Sequence, residues 1–303
     1  MIRNFNEVIE AVQKSGIQKK IAIAAAQDAD VLSSAIATRK LNLAEFVLVG
    51  DVDKISAILV SLKQDVSTWE IIPTQNDVDS ANLVAKLIAD RKADLPMKGL
   101  LQTSQFLKAI LNKELGLVKP KALLSQATVV EYVQENRMML ITDCAINIAP
   151  TFEEKMIITQ NAVDFCHILG IEIPNVAIIA PVEEVKLAIQ STVDAAMLSK
   201  AAQRKQLKGC VVDGPLALDN ALSLQASIHK GIQSSVAGHS DILVMPDLNA
   251  GNILDKSLRY FADYKTAGCV LGANIPLIMT SRSDSPENKL SAIACALLQL
   301  LKI

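Results

Sequence analysis

Gly209-Cys-Val-Val-Asp213-Gly-Pro-Leu-Ala-Leu-Asp219 and Ile275-Pro-Leu-Ile-Met-Thr280-Ser-Arg-Ser-Asp284 share one plan, an apolar run that stops in turn-forming, polar residues. Gly-Pro between two aspartates predicts a strand that ends in a tight turn. The second run ends instead at small hydroxyl residues and one arginine. Open α/β sheets bind their ligands outside the carboxyl ends of their strands, so the two ends are expected to line one crevice. Hydroxyls, backbone N–H groups and a guanidinium suit an anion, and the arginine fork suits phosphate because it binds two oxygens at once. The residues alone point to a soluble enzyme handling a phosphate-bearing substrate.

The chain has 303 residues, enough for two domains with a large core. Half of it is apolar but only 3% is aromatic, so the core must be aliphatic. Such a composition suits strands buried on both faces between helices. Thirty basic residues against thirty-two acidic ones give a formal charge of −2 and no basic patch for nucleic acid. Five cysteines are scattered without CxxC or a zinc spacing, so reduced and mostly buried thiols are expected. The start, Met1-Ile-Arg-Asn-Phe-Asn-Glu7, lacks an apolar signal region, and no run is long enough to span a bilayer. A cytoplasmic protein without membrane or nucleic-acid partners is expected.

Apolar runs alternate with segments of helical period, which predicts βα units and a mostly parallel sheet. Strands are expected at Lys20–Ala26, Phe46–Gly50, Glu70–Pro73 and near 96–100, with helices at 52–63, 77–92 and 103–113. Asp28 or Asp30 caps the helix after the first strand. The runs 123–130 and 137–142 are joined by a short polar segment and should pair antiparallel. Alternation resumes with helices at 152–168, 183–205, 216–230 and 249–264, strands at 175–180, 209–213, 241–245 and 269–274, and an amphipathic helix over 286–301. The expected division is a first α/β domain from 1–118 plus about 270–303 and a second from 119–269, with the active site in the cleft between them.

Three further segments carry candidate chemistry. In Lys98-Gly-Leu-Leu-Gln-Thr-Ser104, Gly99 would let the backbone approach a ligand, and Thr103 or Ser104 would cap a helix whose N–H groups attract anions. Lys108, one turn further on, faces either the cleft or solvent. In Thr142-Asp-Cys-Ala-Ile-Asn-Ile-Ala-Pro150, Asp143 and Asn147 either order the loop through backbone amides or meet a ligand. In Pro246-Asp-Leu-Asn-Ala-Gly-Asn-Ile-Leu-Asp-Lys256, Asp247 reads as an N-cap, Gly251 permits an unusual φ, and Asn252 and Lys256 are candidate ligand contacts. Histidines 167, 229 and 239 stand apart and form no triad, and Cys144 and Cys210 read as inert buried thiols more readily than as nucleophiles. Neither a dinucleotide fingerprint nor a P-loop is present.

Taken in order, Met97-Lys-Gly-Leu-Leu, Phe106-Leu-Lys-Ala-Ile-Leu-Asn, Thr142-Asp-Cys-Ala-Ile-Asn-Ile-Ala-Pro, Asp213-Gly-Pro-Leu-Ala-Leu-Asp-Asn, Asp241-Ile-Leu-Val-Met-Pro-Asp, Ala250-Gly-Asn and Ser281-Arg-Ser-Asp-Ser form a pattern. It resembles the phosphate acetyl/butyryltransferases from about residue 20 to the C-terminus, the butyryltransferase branch above all. The resemblance implies reversible acyl transfer between coenzyme A and phosphate, both substrates, with no metal or other cofactor. It also implies a two-domain fold like that of isocitrate and isopropylmalate dehydrogenases, and a homodimer or larger homo-oligomer. Ser281 and Arg282 match the family's catalytic Ser-Arg pair, and Lys108 matches a cation that helps bind phosphate or coenzyme A. Acetyltransferases of the family carry an Asp seven residues after that serine. Here Asn288 stands there, which leaves Glu287 beside it, the preferred candidate, or Asp284 to accept the thiol proton. Substrate contacts are expected from Thr103, Ser104, Asp143, Asn147, Asp213, Gly214, Pro215, Asn252 and Lys256. The rival readings are a phosphate acetyltransferase acting on acetyl-CoA, a metal- and NAD-dependent decarboxylating dehydrogenase, whose Asp cluster and adenosine loop this sequence lacks, and a non-catalytic sensor of coenzyme A or acyl phosphate.

Overall fold

The computed structural model describes residues 1–120 and 122–302. The chain forms two compact units, one from Phe5–Ala122 with Ala267–Ile303 and the other from Met1–Asn4 with Leu123–Thr266.

In the first unit, β1 (Lys19–Ala24), β2 (Ala44–Gly50), β3 (Glu70–Pro73) and β4 (Leu95–Lys98) form a parallel sheet in the order β3-β2-β1-β4. Its centre is almost uniformly apolar: Ile21, Ile23, Leu48, Leu95 and Met97 are fully buried, as strands covered on both faces require. The covering helices are α1 (Phe5–Lys14), α2 (Ala29–Lys40), α3 (Val52–Ser61), α4 (Asp77–Ala89) and α5 (Thr103–Ile110), with a C-terminal helix at Pro286–Lys302 that packs on α1 and α2. A side-chain cap follows each of three strands. Asp28 accepts from Val31 N at 2.9 Å, Asp51 from Lys54 N at 3.1 Å and Asn76 from Asp79 N at 2.9 Å. Each cap satisfies an orphan amide and fixes a helix start beside the strand's carboxyl end. The segment around Leu277 and Ile278 runs parallel beside β4: Ile278 N donates to Pro96 O at 3.0 Å and Lys98 N to Ile278 O at 2.8 Å.

The second unit opens with β5 (Ser125–Tyr132) and β6 (Arg137–Thr142), an antiparallel hairpin in register from Ala127↔Thr142 to Tyr132↔Arg137. Asn136, at φ 49°, closes its tip. There follow α6 (Phe152–Ile168), β7 (Asn175–Ile179), α7 (Gln190–Gln203), β8 (Val211–Leu216), α8 (Leu218–Leu222), α9 (Leu224–His229), β9 (Ile242–Val244) and α10 (Leu248–Tyr260). The strands lie in the order β5-β6-β9-β7-β8, and from β6 onward all neighbours are parallel.

Several boundaries differ from the sequence reading, among them a strand shifted to Thr266–Leu271 from the expected 269–274. β8 does not stop at Asp213 but runs through Gly214 and Pro215 to Leu216, whose carbonyl accepts Ala180 N at 3.0 Å. A register shift in β7 between Ala177 and Ile179 accommodates it. The helix expected over 183–205 starts only at Gln190. The helix expected over 216–230 is split at Ser223, whose hydroxyl accepts Ala226 N at 3.2 Å and starts a new helix. Polar local bonds outcompete the helical period there.

One ion pair is buried in the second unit: Lys155 Nζ meets Asp194 Oδ2 at 2.6 Å, with the side chains 5% and 8% exposed. Removing one partner strands the other charge, so Lys155→Met is expected to cost about 3–5 kcal/mol in chemical denaturation. The double variant Lys155→Met/Asp194→Leu should recover most of that loss. A single variant as stable as wild type would show that the pair is dispensable.

Candidate active site

At the carboxyl side of the first sheet, the chain leaves the Ile278 pairing and turns sharply through Ser281–Asp284. The Asp284 carboxylate, buried, accepts Ser281 N at 2.7 Å, and Asp284 N donates to Ser281 O at 3.2 Å. From the C-terminal helix, Lys289 returns its ammonium into the same turn, donating to Ser281 O at 3.1 Å and Asp284 O at 2.5 Å. Lys289 is 1% exposed. The turn is thus braced from inside by a carboxylate and an ammonium, and it presents its outward residues in a fixed arrangement. Ser281 and Ser283 share a hydroxyl–hydroxyl bond of 3.0 Å. Arg282 is exposed, and among the described residues its guanidinium makes no hydrogen bond or ion pair. Glu287 is also exposed and lies in the first turn of the C-terminal helix.

Next to this turn, β4 ends in Lys98, which is 5% exposed. Its ammonium donates to Gly99 O at 3.3 Å and Leu101 O at 3.2 Å. Burial pushes its pKa below the ordinary lysine value, and the charges of Arg282 and Lys289 push the same way against Asp28 and Asp284. Gly99 has a packing requirement of its own. A Cβ there would lie 2.3 Å from Ala25 O and 2.6 Å from Ala24 O, so glycine is required for close packing on the end of β1. Thr103 and Ser104 do not cap α5. They are its first two residues, both exposed, while the cap position is Gln102, which makes no side-chain bond. The first-turn amides of α5 therefore lack the side-chain acceptor that closes α2, α3 and α4. Lys108 is exposed in the last turn of α5.

The second unit holds the other expected contacts. Asp143 Oδ1 accepts the amides of Ala145 at 2.8 Å and Ile146 at 3.0 Å. Its Oδ2 takes Asn147 N at 3.3 Å and Asn147 Nδ2 at 2.6 Å. Asn147 Nδ2 also reaches Leu124 O at 2.8 Å. These bonds hold the loop together. Asn252 donates to Cys144 O at 3.1 Å, which docks the start of α10 on that loop. Gly251 has no unusual φ to permit, since its requirement is space: a Cβ would stand 2.1 Å from Asp143 O. Asp247 is the N-cap of α10, accepting Ala250 N at 3.0 Å, and Lys256 is half-buried on the same helix. Asp213 Oδ1 accepts Gly214 N at 2.8 Å, and Pro215 is buried. A Cβ at Gly214 would lie 2.8 Å from Ile178 O, so this glycine too serves close packing between strands.

The sequence reading gave Lys98 and Lys289 no role. Their signal was visible: Lys98 ends the apolar run Leu95-Pro-Met, and Lys289 interrupts the buried face of an otherwise apolar helix. Among the described residues, no group of three or more His, Cys, Asp or Glu is placed to hold a metal ion, and no helix is long and apolar enough to cross a membrane.

Residues 57–297 match the profile of the phosphate acetyl/butaryl transferases. The chain belongs to this family. It is 45% identical over 298 residues to phosphate butyryltransferase of Clostridium acetobutylicum, covering 98% of each chain. It is 36% identical to phosphate acetyltransferase of Thermotoga maritima, covering 95% of this chain and 97% of that one. Among solved structures, a branched-chain phosphotransacylase from Enterococcus faecalis superposes with a TM-score of 0.82 at 30% identity, covering 93% of this chain and 99% of that one. A 4-hydroxythreonine-4-phosphate dehydrogenase from Klebsiella pneumoniae shares the fold alone, with a TM-score of 0.55 at 13% identity over 92% of this chain and 98% of that one. The acyltransferase fold is therefore also a dehydrogenase fold, as the resemblance implied.

The thiols near these loops are unsuited to nucleophilic work. Burial pushes the Cys144 thiol far up, with the Asp255 charge adding to it, and burial raises Cys210 to about 11. Native protein is expected to resist iodoacetamide near neutral pH at both positions, with Cys210 labelling climbing only as the pH approaches its pKa. Rapid neutral-pH alkylation of Cys144, located by peptide mapping, would contradict the structure.

Proposed function

We propose that the protein transfers an acyl group reversibly between a short-chain acyl-CoA, butyryl-CoA foremost, and inorganic phosphate. The observation that carries this reading is the exposed guanidinium of Arg282, unpaired among the described residues, on a turn braced from within, in a chain of this family. A phosphate oxygen attacks the thioester carbonyl, a C–O bond forms, and the C–S bond breaks as the tetrahedral intermediate collapses. The phosphate proton ends on the departing sulfur, so acyl-CoA and hydrogen phosphate give acyl phosphate and free coenzyme A. Arg282 holds the phosphate and Ser281 donates to the developing oxyanion or to the sulfur. Lys108, Thr103 and Ser104 contribute further contacts along α5. Coenzyme A and phosphate are substrates, and the thiolate leaves readily enough that the proposed chemistry asks for no metal. Positioning two bound reactants supplies much of the acceleration, and fixed donors at the developing charge supply the rest.

Coenzyme A release from acetyl-, butyryl- and isobutyryl-CoA with phosphate tests the reading directly. Release should be fastest with butyryl-CoA and should persist after exhaustive chelation. Activity lost to chelator and restored by Mg²⁺ would sink the mechanism. Arg282→Ala is expected to lower turnover roughly 10²–10³-fold, with Arg282→Lys restoring part, because a point charge cannot reproduce the fork. A folded Arg282→Ala protein within about twofold of wild type would remove Arg282 from the site.

For the reverse reaction a proton must leave the coenzyme A thiol, whose ordinary pKa is near ~8.5. Asp284 already holds Ser281 N, which argues for a bracing role, whereas Glu287 stands open in the first helical turn. We assign the proton to Glu287. Glu287→Gln should slow acyl-CoA synthesis roughly 10²–10⁴-fold at neutral pH and recover as the thiol ionises unaided. A rate deficit that stays flat with pH would leave thiolate formation to the cations alone.

A further inference from the structure

Lysine is almost never fully buried unless it is paired. Two lysines of the first unit break that rule side by side. Lys98 is 5% exposed and Lys289 1%, and among the described residues neither forms an ion pair with a carboxylate. Both donate only to backbone carbonyls, and Arg282 bears on Lys98 as a third, equally unpaired positive charge. The acids that oppose Lys98 electrostatically, Asp28 and Asp284, are each engaged in holding the backbone. Asp28 caps α2, and Asp284 holds Ser281 N. Two ammonium groups are thus buried here on backbone carbonyls, with no carboxylate in contact with either among the described residues.

The two lysines differ in what they can still do. Lys289 lies beneath the Ser281–Asp284 turn and commits two donors to its carbonyls, which makes it a positioning residue for Ser281 and Arg282. Lys98 is at the carboxyl end of β4, on the loop that leads to the uncapped start of α5. An ammonium has three donors, and those of Lys98 to Gly99 O and Leu101 O are long, so a third remains for a ligand.

We propose that Lys98 is a phosphate-binding residue of the acyl-transfer reaction, its ammonium donating to an oxygen of the same inorganic phosphate that Arg282 holds. This rests on the acyl-transfer reading above. A buried ammonium suits small inorganic phosphate better than the bulky phosphate groups of coenzyme A. The depressed basicity of Lys98 fits the assignment, because an incoming anion relieves both the burial cost and the repulsion from Arg282 and Lys289.

The test is Lys98→Met, which keeps the unbranched stem and removes the charge. KM for phosphate is expected to rise roughly 10–100-fold, the scale of a lost charged hydrogen bond, with KM for butyryl-CoA within about twofold. Calorimetric titration with inorganic phosphate alone should show the same weakening without any turnover. Lys98→Arg should fold and shift the phosphate KM at least about threefold, because a larger fork cannot occupy the same buried spot. It answers the question if Lys98→Met does not fold. An active enzyme whose Lys98→Met or Lys98→Arg form keeps the wild-type phosphate KM overturns the assignment and leaves the function standing. Wild-type protein that binds phosphate through Lys98 but releases no coenzyme A overturns the function and leaves the site. A rise in KM for butyryl-CoA with phosphate unaffected would place Lys98 on coenzyme A and also overturn the proposal.

Discussion

An ammonium inside a largely apolar helix face needs acceptors, and among the described residues Lys289 finds them in the carbonyls of Ser281 and Asp284. That requirement ties the C-terminal helix to the turn beyond the Ile278 pairing, and the Asp284 carboxylate closes the turn on the amide of Ser281. Without the two bonds to Lys289, a charge would lie desolvated in the core, a cost far larger than a single ordinary hydrogen bond. The position of Ser281 and Arg282 is therefore set by the energetics of a residue that faces the opposite way.

The parallel sheet makes that turn useful. Strands of one direction bring their carboxyl ends to one edge, and Asp28, Asp51 and Asn76 start the following helices there by capping them. Partial positive charge from helix N-termini accumulates along such an edge. At α5 the cap is Gln102, which makes no side-chain bond, so the first turn of that helix lacks a side-chain acceptor close to Lys98. Structural caps and the candidate anion contacts thus come from one geometric rule, and they differ in whether a side chain already fills the place.

In the second unit the same polar vocabulary is used for construction. Asp143, Asn147, Asn252 and Asp247 each satisfy backbone groups of the loop and the helix that leave β6 and β9. Gly251 is small because Asp143 O occupies the space its side chain would need. A buried backbone carbonyl or amide must be paired, and short side chains that can do so are selected wherever a loop is packed. Such residues look functional in a sequence for a reason that is first of all architectural.

The alternation of apolar runs with helical periods determined the α/β class, the antiparallel hairpin at 123–142 and most strand positions, because strand burial on both faces leaves a continuous aliphatic signature. The ordered motifs, read together, determined the family. Local signals failed where two local preferences compete. Gly214-Pro215 reads as a turn yet stays in β8, since the register shift in β7 absorbs it, and Ser223 divides a helix whose apolar period continues across it. Only tertiary structure shows that Gly99, Gly214 and Gly251 are each required for packing, because the backbone atoms that crowd them come from segments distant in the chain. It alone separated Asp284, locked to the Ser281 amide, from Glu287, open to solvent three residues later. It alone also brought the buried ammonium groups of Lys98 and Lys289, nearly two hundred residues apart in the chain, to the same end of the first sheet, because burial is a property of neighbours in space.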